Sequence, residues 1–183
     1  MGNKQLAIGK MQKTNWYPDA SGAKCNWQKK IVLLFLSVNL FASCDKSRVF
    51  EKNIKIPNYE WDANNVLKFE VPINDTLSGY TMYFNVRNAS GYSFSNLYLF
   101  FTVHSPDGKQ ERDTVEIKLA DETGKWLGDG LGDIWDNKIL FKRNFRLPLT
   151  GTYIFEMEQA MRVNPLSYIM DAGIRIEKAE NKN

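Results

Sequence analysis

Histidine and cysteine are nearly missing from this sequence. Its 183 residues include one histidine, His104, and two cysteines, Cys25 and Cys44. A single histidine excludes a multi-histidine metal site, and His104, which borders a turn after an apolar run, is interpreted as a rim residue rather than a catalytic base. No cysteine follows Cys44, which excludes a disulfide framework or a cysteine-based zinc site in the region beyond it.

An excess of one charge is also lacking in most of the chain. Residues 1–43 hold six of the 24 Lys and Arg residues and one of the 21 Asp and Glu residues, which leaves 18 basic and 20 acidic residues from Cys44 onward. The formal net charge of +3 therefore belongs to the leading segment. Nucleic-acid binding needs a basic face on the working domain, so no nucleic-acid partner is predicted.

The segment that ends at Cys44 has the features of a secretory signal. Lys29 and Lys30 precede an apolar run at residues 31–42, and a positive flank, a short apolar stretch and small residues before the cut are typical of such signals. As a helix this run would be about 18 Å long, too short for a bilayer core of about 30 Å. Residues 1–43 are therefore predicted to be a signal peptide. The polar stretch 1–28 is longer than a signal peptide needs. Two explanations remain: the start codon is placed too far upstream, or the leader is unusually long.

The sequence FASC at residues 41–44 resembles a lipobox, in which an apolar residue and two small residues precede a cysteine. The resemblance implies a diacylglycerol on the Cys44 thiol and an N-acyl lipid after cleavage, with no other cofactor. Multiple acyl chains give stable anchoring. We therefore expect a lipid-anchored protein of the cell envelope, on the periplasmic or outer side of a membrane.

The rest of the chain has the pattern of an antiparallel β-domain. Residues 44–65 are polar and are interpreted as a lipidated tether with an edge segment, residues 66–178 as the domain, and residues 179–183 as a polar tail. Short apolar or alternating runs separated by turn residues predict strands at 66–73, 80–88, 97–104, 113–119, 139–147, 152–159 and 172–177. Residues 159–168 are predicted to hold at most a short helical turn. The fold class is all-β, a single antiparallel β-sandwich (jelly-roll or Ig-like) with one long Gly/Asp-rich loop. Its core is predicted to include Leu97, Leu99, Phe101, Val103, Tyr153 and Phe155.

The predicted long loop, residues 121–137, combines four glycines with aspartates and large apolar residues. Long loops without secondary structure are uncommon in compact domains and are often functional. We therefore predict a partner-docking surface formed by Trp126, Leu127, Leu131, Ile134 and Trp135, against the alternative that both tryptophans only anchor the core. A weaker alternative is a calcium site at Asp129, Asp133 and Asp136, although the spacing does not match an EF-hand.

Two further functions remain as alternatives. Exposed tryptophans at Trp61, Trp126 or Trp135 would suit a carbohydrate-binding lipoprotein of the cell envelope. Glu156 and Glu158 would suit a glycosidase, but they alternate with apolar residues along one strand and are interpreted as its solvated face. The protein is therefore predicted not to be an enzyme.

Four stretches together resemble one protein family. They are SNLYLFFTVHSPDGK (95–109), DETGKWLGDGLGDIWDNK (121–138), GTYIFEMEQAMR (151–162) and DAGIRIEK (171–178). With the lipobox, their order and spacing resemble the GldH-type gliding motility lipoproteins of the Bacteroidota. The resemblance implies a non-enzymatic component of the gliding and type IX secretion machinery that supports assembly or stability of partner lipoproteins. It carries no catalytic or ligand-binding residue over to this chain.

Overall fold

The computed structural model describes residues 45–179, so the predicted lipid-attachment residue Cys44 and the predicted signal peptide lie outside the described part. Within this part the chain consists of strands, turns and one short 3-10 turn, Pro57–Tyr59. The strands are β1 (Arg48–Lys55), β2 (Glu60–Trp61), β3 (Leu67–Ile73), β4 (Tyr80–Ala89), β5 (Asn96–His104), β6 (Gln110–Lys118), β7 (Asp129–Leu131), β8 (Ile134–Phe145), β9 (Gly151–Gln159), β10 (Leu166–Ser167) and β11 (Ile169–Lys178).

Two antiparallel sheets pack against each other as a sandwich. The five-stranded sheet has the order β1-β11-β4-β8-β7, and the four-stranded sheet has the order β3-β9-β5-β6. A small pair, β10-β2, lies outside both. The prediction of an all-β antiparallel sandwich is confirmed.

Alternation of apolar and polar residues explains why the strands bury one face. In β3, Leu67, Phe69, Val71 and Ile73 are buried, and the residues between them are exposed. Successive side chains of a strand point to opposite faces of the sheet, so this spacing directs every apolar side chain inward. Each fully buried side chain of this size stabilises the fold by about 1.5–3 kcal/mol.

The predicted core is confirmed at five of six positions: Leu97, Leu99, Phe101, Tyr153 and Phe155 are buried. Val103 is half-buried and packs against the same cluster. The nearly continuous apolar run 97–103 would suit a strand buried on both faces, but β5 is not one, because Tyr98 is exposed and the guanidinium of Arg112 covers Phe100 at 4.5 Å from the ring centroid. In a two-sheet sandwich only one face of each sheet meets the other sheet.

The sheet begins earlier along the chain than the sequence predicted. Residues 44–65 were interpreted as a lipidated tether with an edge segment, and within them Arg48–Lys55 forms the edge strand β1, which pairs with β11 from end to end. Phe50 and Ile54 pack against the core, while the other residues of β1 are exposed and, apart from Val49, polar. Trp61, in the same stretch, is fully buried and donates its indole N–H to the carbonyl oxygen of Asn65 at 2.9 Å.

The long loop predicted at residues 121–137 is not confirmed. Its second half forms the β-hairpin of β7 and β8, in which Leu131 lies opposite Ile134. The turn between them contains Gly132 at φ +63°, a conformation that glycine adopts without steric cost. The helical turn considered within residues 159–168 is also absent from the described chain, because that segment bends and then forms β10.

The strand register defines two opposite ends of the sandwich. At one end, called here the Asp45 end, the chain enters β1, and Lys178 N–H donates to the Ser47 carbonyl oxygen at 2.8 Å. The turns 74–79, 105–109 and 146–150 lie at the same end, because they join strands that terminate there. The other end, called the Trp135 end, carries residues 90–95, residues 119–128 and the β7–β8 hairpin.

Candidate functional site

Aromatic side chains from separate segments pack together at the Trp135 end. The Trp126 ring lies 6.4 Å from that of Tyr92 and 6.3 Å from that of Trp135, between centroids. Tyr92 is buried and donates its hydroxyl to the Asn96 carbonyl oxygen at 2.8 Å. Burial raises the pKa of Tyr92, so its phenol stays neutral and keeps donating this bond.

The β7–β8 hairpin is fixed to the end of β4 by Trp135. The indole N–H of Trp135 donates to the Ser90 hydroxyl at 3.0 Å, and the Ser90 N–H donates to the Asp133 carbonyl oxygen at 2.8 Å. The Trp135 ring lies over Gly130, where an added Cβ would sit 2.4 Å from a ring carbon. Only glycine therefore allows the ring to lie flat on β7.

The five apolar residues predicted for partner docking all lie at this end, but the two tryptophans and the three aliphatic residues differ in exposure. Trp126 packs against the core, and Trp135 is half-buried between Ser90 and Gly130. Leu131 is 87% exposed, Leu127 58% and Ile134 36%. The two tryptophans pack inward, whereas Leu131 and Ile134 project from the opposite face of the hairpin from Trp135, since successive side chains of a strand alternate between faces.

The aspartates considered for calcium are held differently. Asp129 lies opposite Asp136 across the hairpin, and the Asp136 carboxylate accepts a hydrogen bond from Arg87 Nε at 2.5 Å. Arg87 also lies 3.2 Å from Asp171, whose pKa burial raises, while Asp133 occupies the hairpin turn. No group of three or more acidic, histidine or cysteine side chains in residues 45–179 is arranged to hold a metal ion.

The carboxylates considered for hydrolysis lie on the outer face of the four-stranded sheet, each beside a cation. Glu156 lies 2.8 Å from the Lys68 ammonium and 3.3 Å from His104 Nε2, and Glu158 lies 3.1 Å from Arg112. The hydrogen bond from Lys68 lowers the pKa of Glu156. A glycosidase needs one carboxyl group with a raised pKa as the general acid, whereas the pKa of Glu156 is lowered.

A cluster of charged residues at the Asp45 end was not found from the sequence. The Arg175 guanidinium donates to three carboxylates, those of Asp45, Glu51 and Glu177, with distances of 2.6 Å to Glu51 and 2.5 Å to Glu177. Hydrogen bonds from Ser47 and Arg175 lower the pKa of Asp45 to about 2. Asp45 and Arg175 are far apart in sequence, so no local pattern signals their pairing.

Comparison with known proteins gives consistent matches over the described fold. A family model described as GldH lipoprotein matches residues 48–176. A gliding motility lipoprotein GldH homolog of Christiangramia forsetii is 35% identical over 158 residues, which is 82% of this chain and 96% of the relative. The gliding motility lipoprotein GldH of Flavobacterium johnsoniae is 32% identical over 155 residues, which is 81% of this chain and 96% of the relative.

A similar solved structure is a carbohydrate-binding module, CBM28, specific for non-crystalline cellulose. It is 8% identical, with a TM-score of 0.41, and the match covers 72% of this chain and 73% of that one. A likeness at this level carries no functional argument. The structure also buries Trp61 completely, which removes one of the three tryptophans considered for stacking on sugars.

Proposed function

The chain belongs to the GldH lipoprotein family, and we propose its function from that membership. Its function is that of a lipid-anchored, non-enzymatic component of the gliding motility and type IX secretion machinery, which supports the assembly or stability of partner lipoproteins. The observation that carries this proposal is the similarity to two gliding motility lipoproteins along 96% of their length.

The anchor is a lipid on Cys44. The FASC sequence and the lipoprotein family support this assignment. No helix in residues 45–179 is long and apolar enough to cross a membrane. Substituting Cys44→Ala should abolish incorporation of labelled palmitate and release the protein from membranes, and unchanged incorporation would exclude Cys44 as the attachment residue.

Partner lipoproteins dock on the exposed aliphatic residues of the Trp135 end, in a segment that Trp126 and Trp135 fix to the rest of the domain. Two observations support this: Leu131, Leu127 and Ile134 face solvent, and the hairpin that carries two of them is held by hydrogen bonds with Ser90. A hairpin that is already ordered loses less conformational entropy when it binds a partner.

The test is recovery of partners from solubilised envelopes. An Ile134→Asp variant should lose other lipoproteins of the machinery. Leu140→Asp is a matched control, because Leu140 lies on the same strand, faces solvent, and is 37% exposed against 36% for Ile134. Equal recovery with both variants would contradict the docking surface. Retention on a glycan with no lipoprotein recovered would instead favour the carbohydrate-binding alternative.

A further inference from the structure

We infer that the Asp45 end of the sandwich lies against the anionic phospholipid surface that holds the anchor. Leu77 enters the headgroup layer, and four basic side chains bind headgroups: Lys46, Lys142, Arg143 and Arg146. The inference rests on the proposed lipidation of Cys44 and adds an orientation of the domain to it. The Trp135 end then points away from the membrane, toward partners.

The chain leaves no slack between the anchor and the fold. Asp45 follows the proposed lipidated residue directly, and consecutive Cα atoms are about 3.8 Å apart. The Asp45 carboxylate is bound by Arg175 of β11, and two residues later Ser47 pairs with Lys178 through the backbone at 2.8 Å. A flexible tether would let the domain turn freely, whereas this attachment keeps the Asp45 end near the lipid.

The basic residues of β8 lie at the same end as Asp45. Glu177, level with Arg48, pairs with Thr81 of β4, and the neighbouring Tyr80 pairs with Phe145 of β8. Neighbouring strands are about 4.8 Å apart, so three strand spacings separate β1 from β8 by about 15 Å. Arg146 follows Phe145 directly, and a surface that meets Asp45 therefore also meets the end of β8.

The charges of this end leave a surplus of cations. Three of its acidic residues are paired, Asp75 with Lys178 at 2.8 Å, Asp107 with Lys109 at 2.8 Å, and Asp45 with Arg175. Within residues 45–179, no ion pair is formed by any of the four exposed basic residues Lys46, Lys142, Arg143 and Arg146. Glu111 and Asp113 of β6 line the same cleft as Lys142 and Arg146, so the four basic residues exceed the carboxylates without an ion pair by two. Unpaired Lys and Arg residues at a membrane surface bind anionic lipid.

Leu77 supplies the apolar contact. It is 84% exposed in the turn 74–79. The Asp75 carboxylate holds this turn, because it accepts hydrogen bonds from the Leu77 N–H at 3.1 Å, the Ser78 N–H at 3.0 Å and the Ser78 hydroxyl at 2.6 Å. The Lys178 ammonium donates to the same carboxylate at 2.8 Å. A leucine held outward by a fixed turn at the anchored end is placed to enter a bilayer interface.

Two equally exposed leucines make the test direct. Leu77 and Leu131 are 84% and 87% exposed at opposite ends. The chain has no cysteine after Cys44, so Leu77→Cys and Leu131→Cys each provide one thiol for an environment-sensitive dye. The lipidated protein is placed in vesicles of phosphatidylcholine and phosphatidylglycerol that carry a bilayer quencher. We expect a blue shift and quenching for the Leu77→Cys label and neither for the Leu131→Cys label.

The charge contribution is tested in the Leu77→Cys background. Reversing three basic residues, by Lys142→Glu, Arg143→Glu and Arg146→Glu, should reduce quenching to the level of the Leu131→Cys label. Vesicles of phosphatidylcholine alone should have the same effect. A matched reversal at the Trp135 end, by Lys55→Glu and Lys118→Glu at the ends of β1 and β6 and Lys125→Glu in the segment 119–128, should leave quenching unchanged. Quenching that survives the first reversal would overturn the headgroup contacts.

The outcomes separate this inference from the anchor itself. The mass of the purified protein and its flotation with vesicles report lipidation. Protein that fails to float overturns the lipidation of Cys44. Lipidated protein that floats while its Leu77→Cys label stays as unquenched as the Leu131→Cys label overturns the orientation and leaves the anchor intact.

Discussion

Replacing Phe101 with alanine tests how the sandwich is held together. Phe101 is 2% exposed, and its ring lies 5.0 Å from Phe84, 5.3 Å from Phe141 and 5.9 Å from Phe155, between centroids. These rings come from both sheets, so Phe101 joins the two layers. Truncation of a buried phenylalanine costs about 3–5 kcal/mol, because the transfer free energy is lost and a cavity remains.

The adjacent Phe100 is the matched control, because it lies on the same strand and faces outward. Its ring is half-buried and is covered by the Arg112 guanidinium at 4.5 Å. Losing that contact and part of the ring's burial costs about 1 kcal/mol. The two variants remove the same atoms from neighbouring positions, so their difference measures burial between the sheets.

The melting temperature of the detergent-solubilised protein, followed by circular dichroism, reads out both variants. For about 135 ordered residues the unfolding entropy is about 0.28 kcal/mol/K, so each kcal/mol lowers Tm by about 3.5 °C. Phe101→Ala should therefore lower Tm by about 10–18 °C, and Phe100→Ala by about 4 °C. Equal shifts for the two variants would refute the assignment of Phe101 to the inter-sheet core, and a helical spectrum would refute the fold.

Gly130→Ala should lower Tm by about 3–10 °C, because the new Cβ meets the Trp135 ring at 2.4 Å and such overpacking costs about 1–3 kcal/mol. An unchanged Tm would contradict the packing of the Trp135 ring on β7. Trp126→Ala should lower Tm and the abundance of the protein before any loss of partners, because the Trp126 ring packs on Tyr92 and the core. A variant of normal stability that loses its partners would instead make Trp126 a docking residue. The pKa of Asp45 is lowered to about 2 from 3.8, so its stabilising contacts are present above about pH 4 and are lost as the pH falls through about 2. Titration of the Asp45 carboxyl by NMR checks this, and Asp45→Asn should remove that part of the acid dependence.

Strands with strict alternation were predictable, whereas β1 was indicated only as an edge segment within a tether. The run 67–71 alternates apolar and charged residues, and the structure places strand β3 there. In β1 only Phe50 and Ile54 pack against the core, among mostly charged and polar neighbours. An edge strand with so few inward apolar residues has too weak a pattern to be told from a polar tether.

The candidate site was likewise predictable from the sequence only in part. Five apolar residues within ten positions were expected at one place because they are neighbours in sequence, and the structure brings them to one end. Which of them face solvent depends on Ser90 and Tyr92, which approach from another segment. The pairing of Asp45 with Arg175 depends entirely on the fold, and no local sequence pattern predicts it.

The position of β1 also determines how the protein bears load. A pull between a lipid at the Asp45 end and a partner at the Trp135 end acts along the strands. β1 is held to β11 by a ladder that runs from Arg48 to Lys55, and a force along its axis stretches these hydrogen bonds together rather than one after another. Tension applied through the edges of the sheet would peel β1 away bond by bond. The fold is therefore mechanically anisotropic, and its stiff direction runs along the strands, from the Asp45 end to the Trp135 end.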